Sequence, residues 1–267
     1  MQQDALVLWQ VDKRVGRITF NRPDAGNAVN LPFAQAFAAA VEQAALAVKQ
    51  ATVGALLLSA RGRQFCVGGD IQAFVERRDD LPALVDEILA LVHPVVERLA
   101  NLPVPLVSAV QGPLGGAGIA MALCADIVLA ADTIKLRGGY SAIGLSPDGG
   151  ASYFVVQRAG AAAAKRIFMR NQSIAAAECL RLGLVDELHS PEALADAAER
   201  LAQELAQGAT GALGAAKRLC DAAAGNGLHS HLALEQQTLL ERARSAESRE
   251  GIGAFIEKRP CRFHERT

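Results

Sequence analysis

A chain of 267 residues can bury one full core, with or without an appended segment. Apolar residues at 51% and charged residues at 21% exclude a disordered chain. A formal net charge of −1 and 4% aromatic content remove the basic footprint and stacking surfaces that nucleic acid or anionic lipid would require, so neither nucleic acid nor membrane is an expected partner.

Residues 6–11 and 15–20 are apolar-rich runs around Asp12-Lys13-Arg14 and predict a hairpin. The loop NRPDAGNAVN follows, and Asn30 is placed to cap a helix over 31–49. VGALLLS, residues 53–59, has the length and composition of a buried strand. The loop ARGRQFCVGGD then leads into a helix, and a long amphipathic helix over 81–100 must stop before LPVP. PLVSAVQG predicts another strand, GPLGGAGIAMALCA a glycine-rich turn opening a small-residue helix, and DIVLAA a strand again. Strand, loop and helix recur three times by residue 131, which implies a layered α/β core with right-handed crossovers. From about Pro191 the chain reads as successive helices rich in Ala, Leu, Glu and Arg, with apolar faces that packing against another subunit would cover.

Five cysteines lie far apart with no C-x-x-C pair, as expected of reduced thiols. The N-terminal residues lack the basic-then-apolar order of a secretory leader, and the most apolar stretch, Gly115 to Ala131, is interrupted by Asp126 and too short to span a bilayer. The expectation is a soluble cytoplasmic protein. His93, His189, His229, His231 and His264 show no metal-ligand spacing, so no metal site is expected.

Two glycine-bearing loops, FCVGGD (65–70) and GPLGGAG (112–118), each follow a strand and precede a helix. The first N–H groups of a helix lack partners and point outward, and small residues let a ligand oxygen approach them. Two such donors converging would form an oxyanion hole; alternatively the glycines serve only tight turns or close helix packing. GPLGGAG is a poor dinucleotide fingerprint, since Met121 stands where the third glycine or alanine belongs, and no G-K-[ST] follows to make a phosphate loop. Asp70 reads as a helix cap and Asp126 as a polar anchor at a strand start.

Asp148 lies in GLSPDGGAS. Pro, Asp and Gly there suit a tight turn. Its sequence neighbours Ile143, Leu145, Pro147, Ala151 and Ser152 are uncharged, so a buried Asp148 would have a raised pKa and could take and return a proton near neutrality. Local chemistry leaves both readings open.

NRPDAGNAVN, GRQFCVGGDI, AVQGPLGGAGIAMALCADIVLAA, GLSPDGGAS and EGIGAFIEKR, in that order from about Leu6 to Phe263, together resemble the crotonase, or enoyl-CoA hydratase/isomerase, superfamily. The resemblance implies an α/β spiral of ββα units over residues 1–190 that carries the CoA and acyl site, followed by a helical trimerisation region over 191–267. It implies an acyl-CoA thioester substrate, coenzyme A being part of the substrate and no separate cofactor, and a homotrimer or dimer of trimers.

By motif, the N–H groups of Gly69 and Ala117 become the oxyanion hole. Gly26 and Ala28, with Cys66, Val67, Gly68, Asp70 and Ile71, become the loops that hold CoA, and Gly116 belongs to the hole's second loop. Phe255 and Lys258 resemble the C-terminal contacts that close over CoA, from the same or a neighbouring subunit, against the plain alternative of a core Phe and a solvated Lys. Tyr140 and Leu145, with Gly138 and Gly139, are candidates for the acyl pocket.

Hydratases of the family use two glutamates, where this chain has Ala120 and Tyr140. Hydration is therefore disfavoured. An acid at Asp148 resembles the isomerases instead, above all the ring-isomerising type linked to phenylacetate degradation. The expected activity is double-bond migration by a 1,3-proton transfer, with Asp148 as the acid–base group. The alternatives are a hydratase-like enzyme, a hydrolytic or dehalogenating enzyme with Asp148 as nucleophile, and an inactive CoA-binding paralogue.

Overall fold

The structure, a computed structural model, describes residues 5–264. It opens with the expected hairpin, β1 (Val7–Asp12) antiparallel to β2 (Val15–Phe20), turned at Lys13 and Arg14, both with positive φ. After α1 (Leu31–Lys49) comes β3 (Ala55–Ala60), then the short α2 (Ile71–Glu76) and α3 (Leu81–Asn101). Then follow β4 (Leu106–Val110), β5 (Leu114–Gly115), α4 (Ala117–Leu123), β6 (Ile127–Ala131) and β7 (Lys135–Arg137). A single 3-10 turn, Tyr140–Ile143, precedes α5 (Ala151–Arg170), β8 (Ile174–Ala175), α6 (Ala176–Arg181) and β9 (Glu187–His189). Four helices finish the chain: α7 (Pro191–Gln207), α8 (Thr210–Ala223), α9 (Leu228–Ala243) and α10 (Ala246–Glu257).

The large sheet runs β1-β2-β3-β4-β6-β9 and is parallel from β2 onward. The small sheet is β5-β7-β8, and a bridge between Cys66 and Leu114 extends it toward the loop after β3. Each turn of the chain thus gives one strand to the large sheet and a short strand or bridge to the small one before a helix closes it. This is the spiral of ββα units that the sequence resemblance implies.

Local chemistry accounts for the elements that support the loops. The Asn30 side chain accepts from Phe33 N at 3.0 Å and starts α1. By length and composition α1 could cross a bilayer, yet its Phe33, Phe37, Val41 and Ala44 face lies in the core. Phe20, Phe33, Phe37 and Phe65 are fully buried together, with ring centroids 5.1–5.5 Å from Phe20. Burying each ring contributes on the order of 1.5–3 kcal/mol. The cluster fixes Phe65, one residue ahead of the loop that begins at Cys66.

The helix opening the 191–267 segment does not stand apart from the sheet. Leu194, Ala197, Ala198, Ala202 and Ala206 of α7 are buried in the same core, against β3, β4, β6 and β9. Departure from the sheet begins after it: the buried residues of α8, α9 and α10 are Gly214, Thr238 and Ala254 respectively.

Candidate active site

Four segments far apart in sequence are laced together by main-chain hydrogen bonds. Val67 N donates to Gly26 O at 3.1 Å, Val29 N to Gly68 O at 2.8 Å and Asp70 N to Val29 O at 3.0 Å. Gly115 N donates to Cys66 O at 3.0 Å, and Gly116 N to Gly138 O at 3.1 Å. Within the first loop the buried Asn27 accepts from Arg22 N and donates to Arg61 O and Gln64 O. Sequence reasoning missed this residue, whose role is to tie the Gly26–Ala28 loop to the one after β3.

Gly68 and Gly116 bring the two glycine loops into direct backbone contact. Both have positive φ, 96° and 51°. A Cβ on Gly68 would lie 3.0 Å from Gly116 Cα and 3.4 Å from Ala117 N, and one on Gly116 would lie 3.9 Å from Gly69 N. Only glycine permits that approach. Among the described residues, Gly69 N–H and Ala117 N–H have no acceptor. Ala117 opens α4, where an unpaired amide is expected. Two adjacent unpaired amides can receive one carbonyl oxygen and stabilise charge on it.

Asp148 stands beside this pair. Its neighbour Gly149 packs on α4, where an added Cβ would lie 3.6 Å from the Ala120 Cβ and 3.9 Å from the Ala117 Cβ. Tyr140 Oη donates to Asp148 Oδ1 at 2.6 Å. Burial raises the Asp148 pKa above the ordinary carboxyl value, while the Tyr140 hydrogen bond pulls it back only in part. Burial, followed by the charge of Asp148, pushes the Tyr140 phenol up, so it stays a donor. The Cys66 thiol is likewise pushed up to about 12, chiefly by burial, and stays protonated. Tyr140 is expected among the acyl-pocket residues; its hydroxyl also holds the acid.

His93, on α3, accepts from Gly149 N at 3.3 Å. Nothing in its surrounding sequence signals this contact, which spans 56 positions along the chain.

The remaining candidates divide. Val67, Ile71 and Leu145 are exposed apolar residues around the loops. The Asp70 carboxylate is committed to structure: it accepts from Gln72 N and Ala73 N at the start of α2 and pairs with Arg22 at 2.7 Å. Its burial opposes ionisation, yet Arg22 and these amides hold its pKa below the ordinary value. Phe255, 84% exposed, is not buried against these loops; it lies on α10, which packs on α9, and Lys258 ends that helix, exposed. Asp126 anchors as expected, accepting from Leu106 N at 2.7 Å and from Lys217 Nζ at 3.0 Å. No group of three His, Cys, Asp or Glu side chains among the described residues could hold a metal ion.

The family model for enoyl-CoA hydratase/isomerase matches residues 10–266. The 1,2-epoxyphenylacetyl-CoA isomerase of Escherichia coli (strain K12) is 34% identical over 258 residues, covering 96% of this chain and 97% of that protein. The trans-2-decenoyl-[acyl-carrier-protein] isomerase of Streptococcus mutans is 30% identical over 260 residues, with 96% and 97% covered. The crystal structure of an enoyl-CoA hydratase from Polaromonas sp. JS666 superimposes with a TM-score of 0.89 at 28% identity, covering 96% of this chain and 98% of that one.

Proposed function

This chain belongs to the enoyl-CoA hydratase/isomerase family of acyl-CoA enzymes, and from that premise we propose that it is an enoyl-CoA isomerase that shifts a double bond by a 1,3-proton transfer. The thioester oxygen accepts from Gly69 N–H and Ala117 N–H, which stabilises the dienolate formed when a proton leaves the allylic frame. Asp148 takes that proton at one end of the frame and returns it at the other. Its raised pKa makes it a better base than an exposed aspartate, and still a usable acid once protonated. Tyr140 holds the carboxyl through Oδ1.

The observation that carries this reading is the single Tyr140-held acid beside two unpaired amides, with the apolar, fully buried Ala120 in the wall where the family's hydratases use a glutamate. A proton that stays on one group needs no second carboxylate. The relative named trans-2-decenoyl-[acyl-carrier-protein] isomerase supports the same choice, while another at similar identity is named a probable enoyl-CoA hydratase. Hydration is the second reading, favoured by the close superposition on a protein titled enoyl-CoA hydratase. The working assembly in this proposal is a homotrimer or dimer of trimers, with Phe255 and Lys258 completing the CoA site of a neighbour.

Incubation with 2- and 3-enoyl-CoAs in heavy water separates the readings. Isomerisation gives the shifted double bond with deuterium at the exchanged carbons; hydration gives 3-hydroxyacyl products. Asp148→Asn is expected to lower isomerisation by about 10²–10⁴. The fold should survive it. Because the folded pKa of Asp148 is raised, its contribution to stability is lost as pH rises through that value, so at neutral pH the buried charge costs stability that Asn does not. The variant should melt at or above the wild-type temperature. Isomerisation by Asp148→Asn at the wild-type rate refutes the role.

A further inference from the structure

The turn that presents Asp148 is soft by composition. Gly149 and Gly150 both have positive φ, 58° and 95°, and Gly150 stands at the cap position of α5 without a side-chain cap. Within the turn, the main chain closes one hydrogen bond, Ala151 N to Asp148 O at 2.8 Å. Gly149 N–H, the amide directly after the acid, has no main-chain acceptor among the described residues. It is taken by His93 Nε2 at 3.3 Å, from a helix whose preceding residue, Val92, also borders Gly149. In that contact Nε2 is the acceptor and the ring hydrogen sits on Nδ1.

We infer that His93 is a positioning residue for the proton transfer: by holding Gly149 N–H it fixes the main chain on which Asp148 is carried, while Tyr140 fixes the carboxyl itself. The inference rests on the isomerase reading of Asp148. It assigns His93 no contact with substrate. Two tethers on one acid, one to its backbone and one to its side chain, hold it at a set distance from the allylic carbons. A misplacement of about 1 Å at a reacting group can cost about 10²-fold in rate.

Two substitutions isolate the contact. His93→Phe keeps the bulk and removes the acceptor; His93→Gln keeps an acceptor at nearly the same reach. His93 is exposed, so neither change disturbs the core. His93→Phe is expected to lower kcat about 10-fold or more with KM within about twofold, since positioning acts on the transition state and not on CoA binding. It should also speed amide hydrogen exchange across residues 148–150. His93→Gln should restore most of both.

Wild-type kcat in His93→Phe, an unchanged exchange rate, or no recovery in His93→Gln overturns the inference. If the wild-type protein isomerises no enoyl-CoA, the isomerase reading fails instead. The exchange rates of the two variants then decide the clamp on their own, faster exchange in Phe and recovery in Gln upholding it and any other pattern overturning it.

Discussion

Asp148 is subject to opposing pulls. Burial favours its neutral form, while the Tyr140 hydrogen bond favours the carboxylate, and burial prevails. Removing the Tyr140 hydroxyl leaves burial less opposed. Tyr140→Phe should therefore move the acid limb of the kcat/KM profile to higher pH and slow turnover about tenfold. A limb unmoved in that variant would mean that the hydroxyl does not bear on the titrating acid. The acid itself was legible in the sequence, because Pro-Asp-Gly-Gly is a local pattern and the five motifs kept their order. Its two holders were not. Tyr140 reads from the sequence only as a pocket residue, without its bond to the acid, and His93 lies on a helix whose periodicity says only which face is buried. A bond across 56 positions leaves no local trace.

The elements that carry the loops were legible where period and capping speak. The hairpin, α1 with its Asn30 cap, α3, β4 and β6 stand within a few residues of where the pattern puts them. Between residues 132 and 190 the pattern fails for physical reasons. β7, β8 and β9 are two or three residues long, too short for alternation, and α5 breaks its helical geometry at Gly160. Burial of α7 was missed because a stripe of alanines satisfies a sheet face as well as it satisfies a partner helix.

Lys217 also looks like an ordinary helix lysine, yet its side chain is 9% exposed and paired with Asp126, which anchors Leu106 N at the start of β4. This pair fastens α8 to the sheet. Lys217→Met should leave a partly buried carboxylate without its counter-ion and destabilise the protein by about 1–3 kcal/mol, read from the midpoint of urea unfolding. A loss below about 1 kcal/mol would mean that water replaces the lysine there.

At the scale of the molecule, the last two helices leave Leu228, Leu239, Ile252, Phe255 and Ile256 largely in solvent. Faces of that kind are covered in stable proteins. The proposed assembly covers them with further copies of the chain, so Leu239→Glu combined with Ile252→Glu should reduce the mass measured by light scattering to that of the monomer. It should also raise KM for acyl-CoA if a neighbour completes the site. An unchanged mass would place the contact elsewhere. The opposite holds for the amide pair, which lies where two backbones touch through Gly68 and Gly116 and are stitched to strands on both sides. Its spacing is set by these backbone contacts rather than by side chains. In the proposed function, thioesters with unlike tails then meet one fixed pair of amide donors. On the same proposal, telling them apart falls to the exposed apolar residues around the loops, Val67, Ile71 and Leu145, and retargeting the protein to a new acyl group becomes a matter of resculpting them.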